Sequence, residues 1–283
     1  MSDHRGGAGR QSSRVWVVAR TDLRQLRQSP DFWGPMLALA AIFFIIAPAV
    51  LLFAVTHISE GSVVQKVSST LEILPASARA SVPAGSPEAR TSYALAVFLF
   101  APLAVIVPMT ISTAVGANIL VGEKERGTGE FLAHSPATER EIYLGKIIAS
   151  LVPGYLTTIV GFFAYALIVN VIVGPQVGGW FFPTGDWWVL MFWVVPPFLA
   201  LTLSVVLRLS ARVRSAAAAQ QASGLVTLPL IVLSYAQSSG AIFGSGTSGL
   251  WLGAISWAAA IIGLQRGSRA VTRPRLLGVD ASR

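Results

Sequence analysis

Five charged residues within eight positions, Glu123, Lys124, Glu125, Arg126 and Glu130, precede the apolar pair Phe131 and Leu132. That combination has the chemistry of a protein-docking surface. Carboxylates and a guanidinium form charge-assisted hydrogen bonds at a subunit boundary, and an adjacent aromatic or aliphatic side chain anchors in an apolar pocket. The residues belong to the stretch Glu123-Lys124-Glu125-Arg126-Gly127-Thr128-Gly129-Glu130-Phe131-Leu132, which is followed by Pro136 and Gly145-Lys146. Nine of the 34 formally charged groups lie between positions 123 and 146, so this segment cannot sit in hydrocarbon. A solvated charged loop that merely orients its neighbours has the same composition, and composition leaves both readings open.

Other chemistries fail on spacing. Gly145-Lys146 is followed by Ile147 and lacks the upstream glycine of a G-x-x-x-x-G-K-[ST] phosphate loop. His4, His57 and His134 fall in aqueous segments, Asp186 falls at an interface, and Ser245 of Gly244-Ser245-Gly246 has no nearby base. No catalytic set for a membrane enzyme, such as an intramembrane protease, emerges, and neither a metal site nor a cofactor is expected in the chain. With no cysteine, disulfides, thiolate metal sites and lipidated cysteines are excluded.

The elements that must position the charged segment are apolar. The 283 residues are 53% hydrophobic and 12% charged, against about 25% charged in soluble domains, and mean hydropathy is +0.64. A membrane crossing takes roughly 20 apolar residues. Six stretches meet or approach this: 33–55, 93–121, 147–173, 187–207, 216–235 and 249–264. The first exceeds the apolar length of a signal peptide and reads as a retained span. The expected fold is an all-α polytopic membrane protein with six transmembrane helices, the charged connector covering 122–146.

Net charge +8 would suggest nucleic acid in a soluble protein. Here the basic residues mark sidedness instead. Eighteen of the 21 lie in the amino-terminal tail, the central connector, the connector after the fourth span and the carboxyl tail; only Lys66, Arg79 and Arg90 fall elsewhere. Both termini are therefore expected in the cytoplasm and loop 56–92 outside. No nucleic-acid partner is expected.

Residues 1–13 read as a disordered basic tail, and 14–28 as an amphipathic interfacial helix. Val15, Trp16, Ala19, Leu23 and Leu26 share its lipid-facing side, with Arg20, Arg24 and Arg27 beside it. Ser29-Pro30-Asp31 should break this helix from the first span. The six-span domain extends over 29–265 and a cytoplasmic tail over 266–283. In loop 56–92, residues 63–74 have the composition of a short helix, and Pro75, Pro83 and Pro87 punctuate the remainder of the loop. Trp180, Trp187 and Trp188 are placed like an interfacial aromatic belt. In the connector, Pro136 stops one helix and Thr138-Glu139-Arg140-Glu141 is a capping box that opens the next.

No ionisable residue is expected deep inside a span, where ion-coupled carriers keep such groups; this argues against a charged channel or ion-driven carrier. Thr110, Thr113, Ala114, Ala117 and Asn118 form a small, mildly polar stripe leading to the connector, and Gln220, Ser223, Gly224 and Thr227 form a second. Thr110, Thr113, Asn118, Gln220 and Thr227 are candidates to line a pathway; close helix packing through small residues is the alternative. Pro102, Pro108, Pro153, Pro196, Pro197 and Pro229 should kink their helices.

The order of these motifs resembles the ABC-2 type permeases of ATP-binding-cassette exporters. A Glu-rich span end leads to Gly-Thr, a Glu, hydrophobics, Pro136, and Gly145-Lys146 entering the next span. Trp16, Arg20, Asp22 and Leu23 resemble the family's amino-terminal interfacial helix. Ser210-Ala211-Arg212-Val213-Arg214-Ser215 with Ala219-Gln220-Gln221 resembles its fourth-to-fifth connection. Gly129 stands where a larger aliphatic residue is usual, and His134 where Thr or Gln is common. The resemblance implies that Glu123, Glu125, Arg126, Gly127, Thr128, Glu130, Phe131, Leu132 and Pro136 couple the chain to a separate ATPase subunit, which binds ATP and Mg. It further implies a second permease copy, identical or paralogous, and outward movement of cargo across a prokaryotic cytoplasmic membrane. The chain itself would not be an enzyme. A non-transporting subunit that passes ATPase motion to an external partner shares this fold and is the alternative.

Overall fold

The computed structural model describes residues 5–57, 76–125, 135–210, 221, 228–233, 236 and 247–270, and every regular element among them is helical. Helix α1 (Arg5–Gln28) begins earlier than expected, inside the stretch read as a disordered tail. Gly6, Gly7 and Gly9 are poor helix formers, so local propensity does not account for this extension. Ser29 is extended (φ −107°, ψ 94°), the backbone favoured before a proline, and Pro30 opens the next helix at its first position. The break expected at Ser29-Pro30 is therefore present.

Helix α2 comprises Pro30–Ala41, a π-helical turn Ile42–Ile46, and Ala47–His57. After a short α3 (Ala76–Ala80), helix α4 joins Pro87–Ala94 to a second π turn, Leu95–Leu99. Helix α5 (Leu103–Glu125) continues that path to the connector, and α6 (Glu139–Ile172) leaves it. A single turn, α7 (Gly174–Val177), precedes α8, which joins Gly185–Val189, a third π turn Leu190–Val194 and Val195–Ser210. Helix α9 (Ser248–Ala270) completes the described elements, and 228–233 are helical as well.

All three π turns end two or three residues before a proline: Ile46 before Pro48, Leu99 before Pro102 and Val194 before Pro196. A proline lacks the N–H that the carbonyl four residues earlier would use, and its ring crowds that carbonyl. Widening the preceding turn relieves the conflict. Two of the widened turns are also bonded from other helices. Tyr165 Oη donates to Ala96 O at 2.6 Å and Trp187 Nε1 to Val97 O at 2.8 Å, both on the second turn; Tyr155 Oη donates to Met191 O at 3.1 Å, on the third. The kinks expected at Pro102 and Pro196 thus appear as register changes tied down by aromatic donors.

Among the described residues, four helical stretches are long and apolar enough to cross a membrane: Trp33–His57, Pro87–Ile119, Glu139–Ile172 and Gly185–Arg208. Six were expected. Most of the fifth, 216–235, lies outside the described residues, and α9 ends in the polar run Gln265, Arg266, Ser268 and Arg269. The second span starts earlier than expected. Pro87 is not loop punctuation but the first helical residue, with Ser86 Oγ accepting from Ala89 N at 3.2 Å, so loop 56–92 closes at Ser86. Residues 63–74 lie outside the described residues.

Glycine sets the closest helix contacts. A Cβ at Gly154 of α6 would stand 2.1 Å from Ser112 Oγ of α5, and one at Gly161 would stand 2.5 Å from the Phe44 ring of α2. On its other side α6 presents Leu156, Val160, Phe163, Leu167 and Val171, all exposed, a wholly apolar outer stripe suited to lipid. Trp187 departs from the belt reading. It is buried among Phe162, Tyr165 and Phe182, while Trp180 and Trp188 are exposed.

Asn170 pins the turn that follows α6. Its side-chain amide donates to Ala166 O and Phe182 O, and its carbonyl oxygen accepts from Phe181 N and Phe182 N at 3.0 and 3.1 Å. Replacing Asn170 with Ala leaves buried backbone groups without partners, which costs about 2–4 kcal/mol. Thermal unfolding of the purified chain should reveal the loss, whereas Trp180→Ala on the exposed part of the same turn should leave stability nearly unchanged.

Candidate functional site

Two helices deliver the charged connector and a third clamps it. Glu123 and Glu125 belong to the last turn of α5. Arg126, Gly127, Thr128, Glu130, Phe131 and Leu132 lie outside the described residues. Where the chain resumes, Pro136 is exposed and its carbonyl accepts a hydrogen bond from Arg14 Nη1 of α1 at 3.1 Å. The next residue, Ala137, turns into an apolar cluster with Ile142, Tyr143, Ile147, Leu203 and Leu207.

The capping box read from sequence opens α6. Thr138 N donates to Glu141 Oε2 at 2.7 Å, and Glu141 N donates to Thr138 Oγ1 at 3.3 Å. These bonds satisfy amide groups that a helix start leaves without intrahelical partners. They also fix the angle at which the connector enters α6, because Glu141 is buried while Glu139 is half-buried and Arg140 exposed.

One turn further on, α1 crosses α6 at Gly145. A Cβ there would stand 2.7 Å from Val18 Cγ1 and 3.1 Å from Val15 O, so only glycine admits α1 this closely. Beside it, Lys146 Nζ lies 3.8 Å from Asp22 Oδ2, with side-chain exposures of 1% and 9%. The separation is that of an ion pair, too long for a hydrogen bond. Burial raises the Asp22 carboxyl above its ordinary value, against the lowering pull of Lys146. Desolvation therefore outweighs attraction at this acid, as is common for buried pairs. Among the described residues, the buried acidic and basic side chains are Asp22, Glu141 and Lys146, all beside the connector.

The packed side of α1 differs from the expected one. Ala19 and Asp22 are buried and Val15, Val18, Leu23 and Leu26 are half-buried, whereas Trp16 points outward at 55% exposure. The helix thus turns its aliphatic side to α6 and presents Trp16 and Val17 to the surroundings. An acid at position 22 within an aliphatic stripe was the sequence signal for a buried partner. The other side of the junction is sealed by α9: Arg208 Nη2 donates to Gly263 O, and a Cβ at Gly267 would overlap the Tyr143 hydroxyl. Nothing in the sequence pattern joined Tyr143, Arg208 and Gly267.

The pathway candidates do not share one environment. Thr110 is exposed, Thr113 is buried with Oγ1 donating to Thr110 O at 3.1 Å, and Asn118 is half-buried. Gln220 and Thr227 lie outside the described residues. Thr113 and Ala117 of the stripe are buried, and Ser112 and Gly116 beside them make close contacts, with a Cβ at Gly116 2.9 Å from Leu203.

Helix α1 is thus held to the start of α6, beside the far end of the connector. Residues 16–246 match the family described as ABC-2 family transporter protein. The chain belongs to the ABC-2 transporter family. It is a membrane permease component of an ABC transporter, a class whose ATPase activity normally resides on a separate subunit. No curated protein matches the chain significantly. The family match begins inside α1, after Arg14 and before Asp22, and spans the whole connector.

Two outcomes test this junction. Lys146→Met alone strands the Asp22 carboxylate and should destabilise the permease by about 3–5 kcal/mol, whereas Asp22→Leu with Lys146→Met should recover most of the loss. A double-mutant cycle on thermal unfolding reads the difference. The raised Asp22 value also fixes the direction of a pH effect. Its contribution to stability is full below the ordinary carboxylate value of 3.8 and is lost as pH rises through the raised folded value. Wild type minus Asp22→Asn should therefore show a stability difference that declines with rising pH across that window.

Proposed function

We propose that this ABC-2 permease is the transmembrane half of an exporter, two copies of which enclose a pathway and each of which docks one ATPase subunit. The connector 122–146 is the docking element. Glu123, Glu125, Arg126 and Glu130 meet polar groups of the ATPase, and Phe131 and Leu132 enter an apolar groove on it. ATP and Mg bind on that subunit. Both termini face the cytoplasm, and cargo leaves across the cytoplasmic membrane of a prokaryote.

The observation that carries this reading is the anchoring of the connector's far end. Its backbone is bonded to α1 at Pro136, capped into α6 at Thr138 and Glu141, and followed by the glycine contact and ion pair at 145–146. A push on the connector would reach α1 and α6 together, with no loose segment between Pro136 and the span. Gly145 and Lys146 lie buried within α6, which supports reading them as a packing and pairing site rather than as a nucleotide loop. The positive-inside distribution of arginine and lysine supports the stated sidedness.

Co-purification with an ATP-binding-cassette ATPase from the same cells, together with ATP turnover, tests the docking role. Glu130→Lys with Phe131→Ala should weaken the complex roughly ten-fold or more and abolish permease-dependent turnover, since anchors of this kind dominate interface energy. Normal association and turnover in that variant would show that the connector does not dock the ATPase.

A further inference from the structure

Where α1 hands over to α2, the two helices and α6 enclose a cavity of about 410 Å³ lined by Leu23, Leu26, Arg27, Trp33, Met36 and Pro153. Five of these side chains are apolar and one is a guanidinium. Leu23, Leu26, Met36 and Pro153 are half-buried and form the wall, while Arg27 and Trp33 are exposed at the opening. Arg20 and Arg24 continue the basic edge along α1, both exposed. Among the described residues no carboxylate lines the cavity, and Asp22 of α1 is paired with Lys146.

We propose that this cavity holds an anionic phospholipid, with an acyl chain in the apolar pocket and the phosphate on Arg27. The volume falls in the range of ligand sites, about 300–1,000 Å³, but the wall lacks the polar groups that orient a soluble metabolite. An alkyl chain needs none. At the opening, a planar guanidinium matches phosphate oxygens in a bidentate fashion, and the indole of Trp33 suits the depth of the headgroups. Basic pockets between helices at a membrane surface select anionic headgroups on these grounds. Leu23 follows Asp22 on α1 and Leu26 lies one turn beyond it, so the lipid braces the helix that clamps the connector. The site depends on neither the cargo nor the ATPase.

Native mass spectrometry of the full chain in detergent, titrated with phosphatidylglycerol or phosphatidylcholine, tests the assignment. Phosphatidylglycerol should bind more tightly. Arg27→Gln, at an exposed position where folding is not at stake, should weaken it about five-fold and weaken phosphatidylcholine, whose phosphate charge is offset by its own choline, by less. Met36→Trp, which fills the cavity, should weaken both, and Arg90→Gln on α4 should change neither. Phosphatidylglycerol binding that survives both Arg27→Gln and Met36→Trp would overturn the site. A loss confined to Met36→Trp would overturn the anionic assignment, and full competition by inorganic phosphate would overturn the lipid in favour of a free anion.

Discussion

Everything at the connector end of this permease depends on how closely α1 approaches α6. The approach is possible because residue 145 has no side chain, and it brings Asp22 against Lys146 in a place that excludes water. The carboxylate gains nothing from the burial itself, since desolvation outweighs the attraction of Lys146 there. Their value lies in specificity. With α1 shifted by one residue, the acid would leave Lys146 and an aliphatic side chain would face it, so the pair fixes the register of α1 on α6. That register in turn places Arg14 within reach of the Pro136 carbonyl.

The opposite end is governed by the constraint that backbone groups within a bilayer need partners inside the protein. Pro48, Pro102 and Pro196 interrupt the regular ladder and each follows a widened turn, whereas Pro108 and Pro153 sit inside α5 and α6 without one. Tyr165 and Trp187 then bond two carbonyls of the second widened turn, and both rings belong to the aromatic cluster around Phe162 and Phe182. Asn170 closes that cluster by bonding the backbone on both sides of the turn. One end is thus held by charge and glycine contact, and the other by aromatic donors and an amide.

Much of this architecture was legible in the chain. Long apolar runs marked four spans, Ser29-Pro30 marked the break after α1, and Thr138 through Glu141 marked the start of α6, because each depends on local chemistry. Contacts that depend on two distant elements were not legible. The 100° periodicity of α1 gives a continuous apolar stripe including Trp16, and only the packing of α6 decides which part of it is covered. The same holds for Trp187: its composition suits a membrane interface, yet the carbonyl of Val97, made available by a widened turn 90 positions earlier, draws it inside. The candidate site divides in the same way. Its charged residues stood out by density, but the role of Gly145 as a contact point required knowing what crosses it.

The central claim is that force enters at the connector and passes through its clamped end into α1 and α6. Hydrogen exchange on the full chain, alone and in complex with its ATPase held in the ATP-bound state, tests it most directly. The account predicts new protection across 123–136, with the Lys146 turn of α6 and the Asp22 turn of α1 already protected in the free permease. Protection appearing elsewhere while 123–136 exchanges as before, or an α1 that exchanges freely in both states, would contradict it.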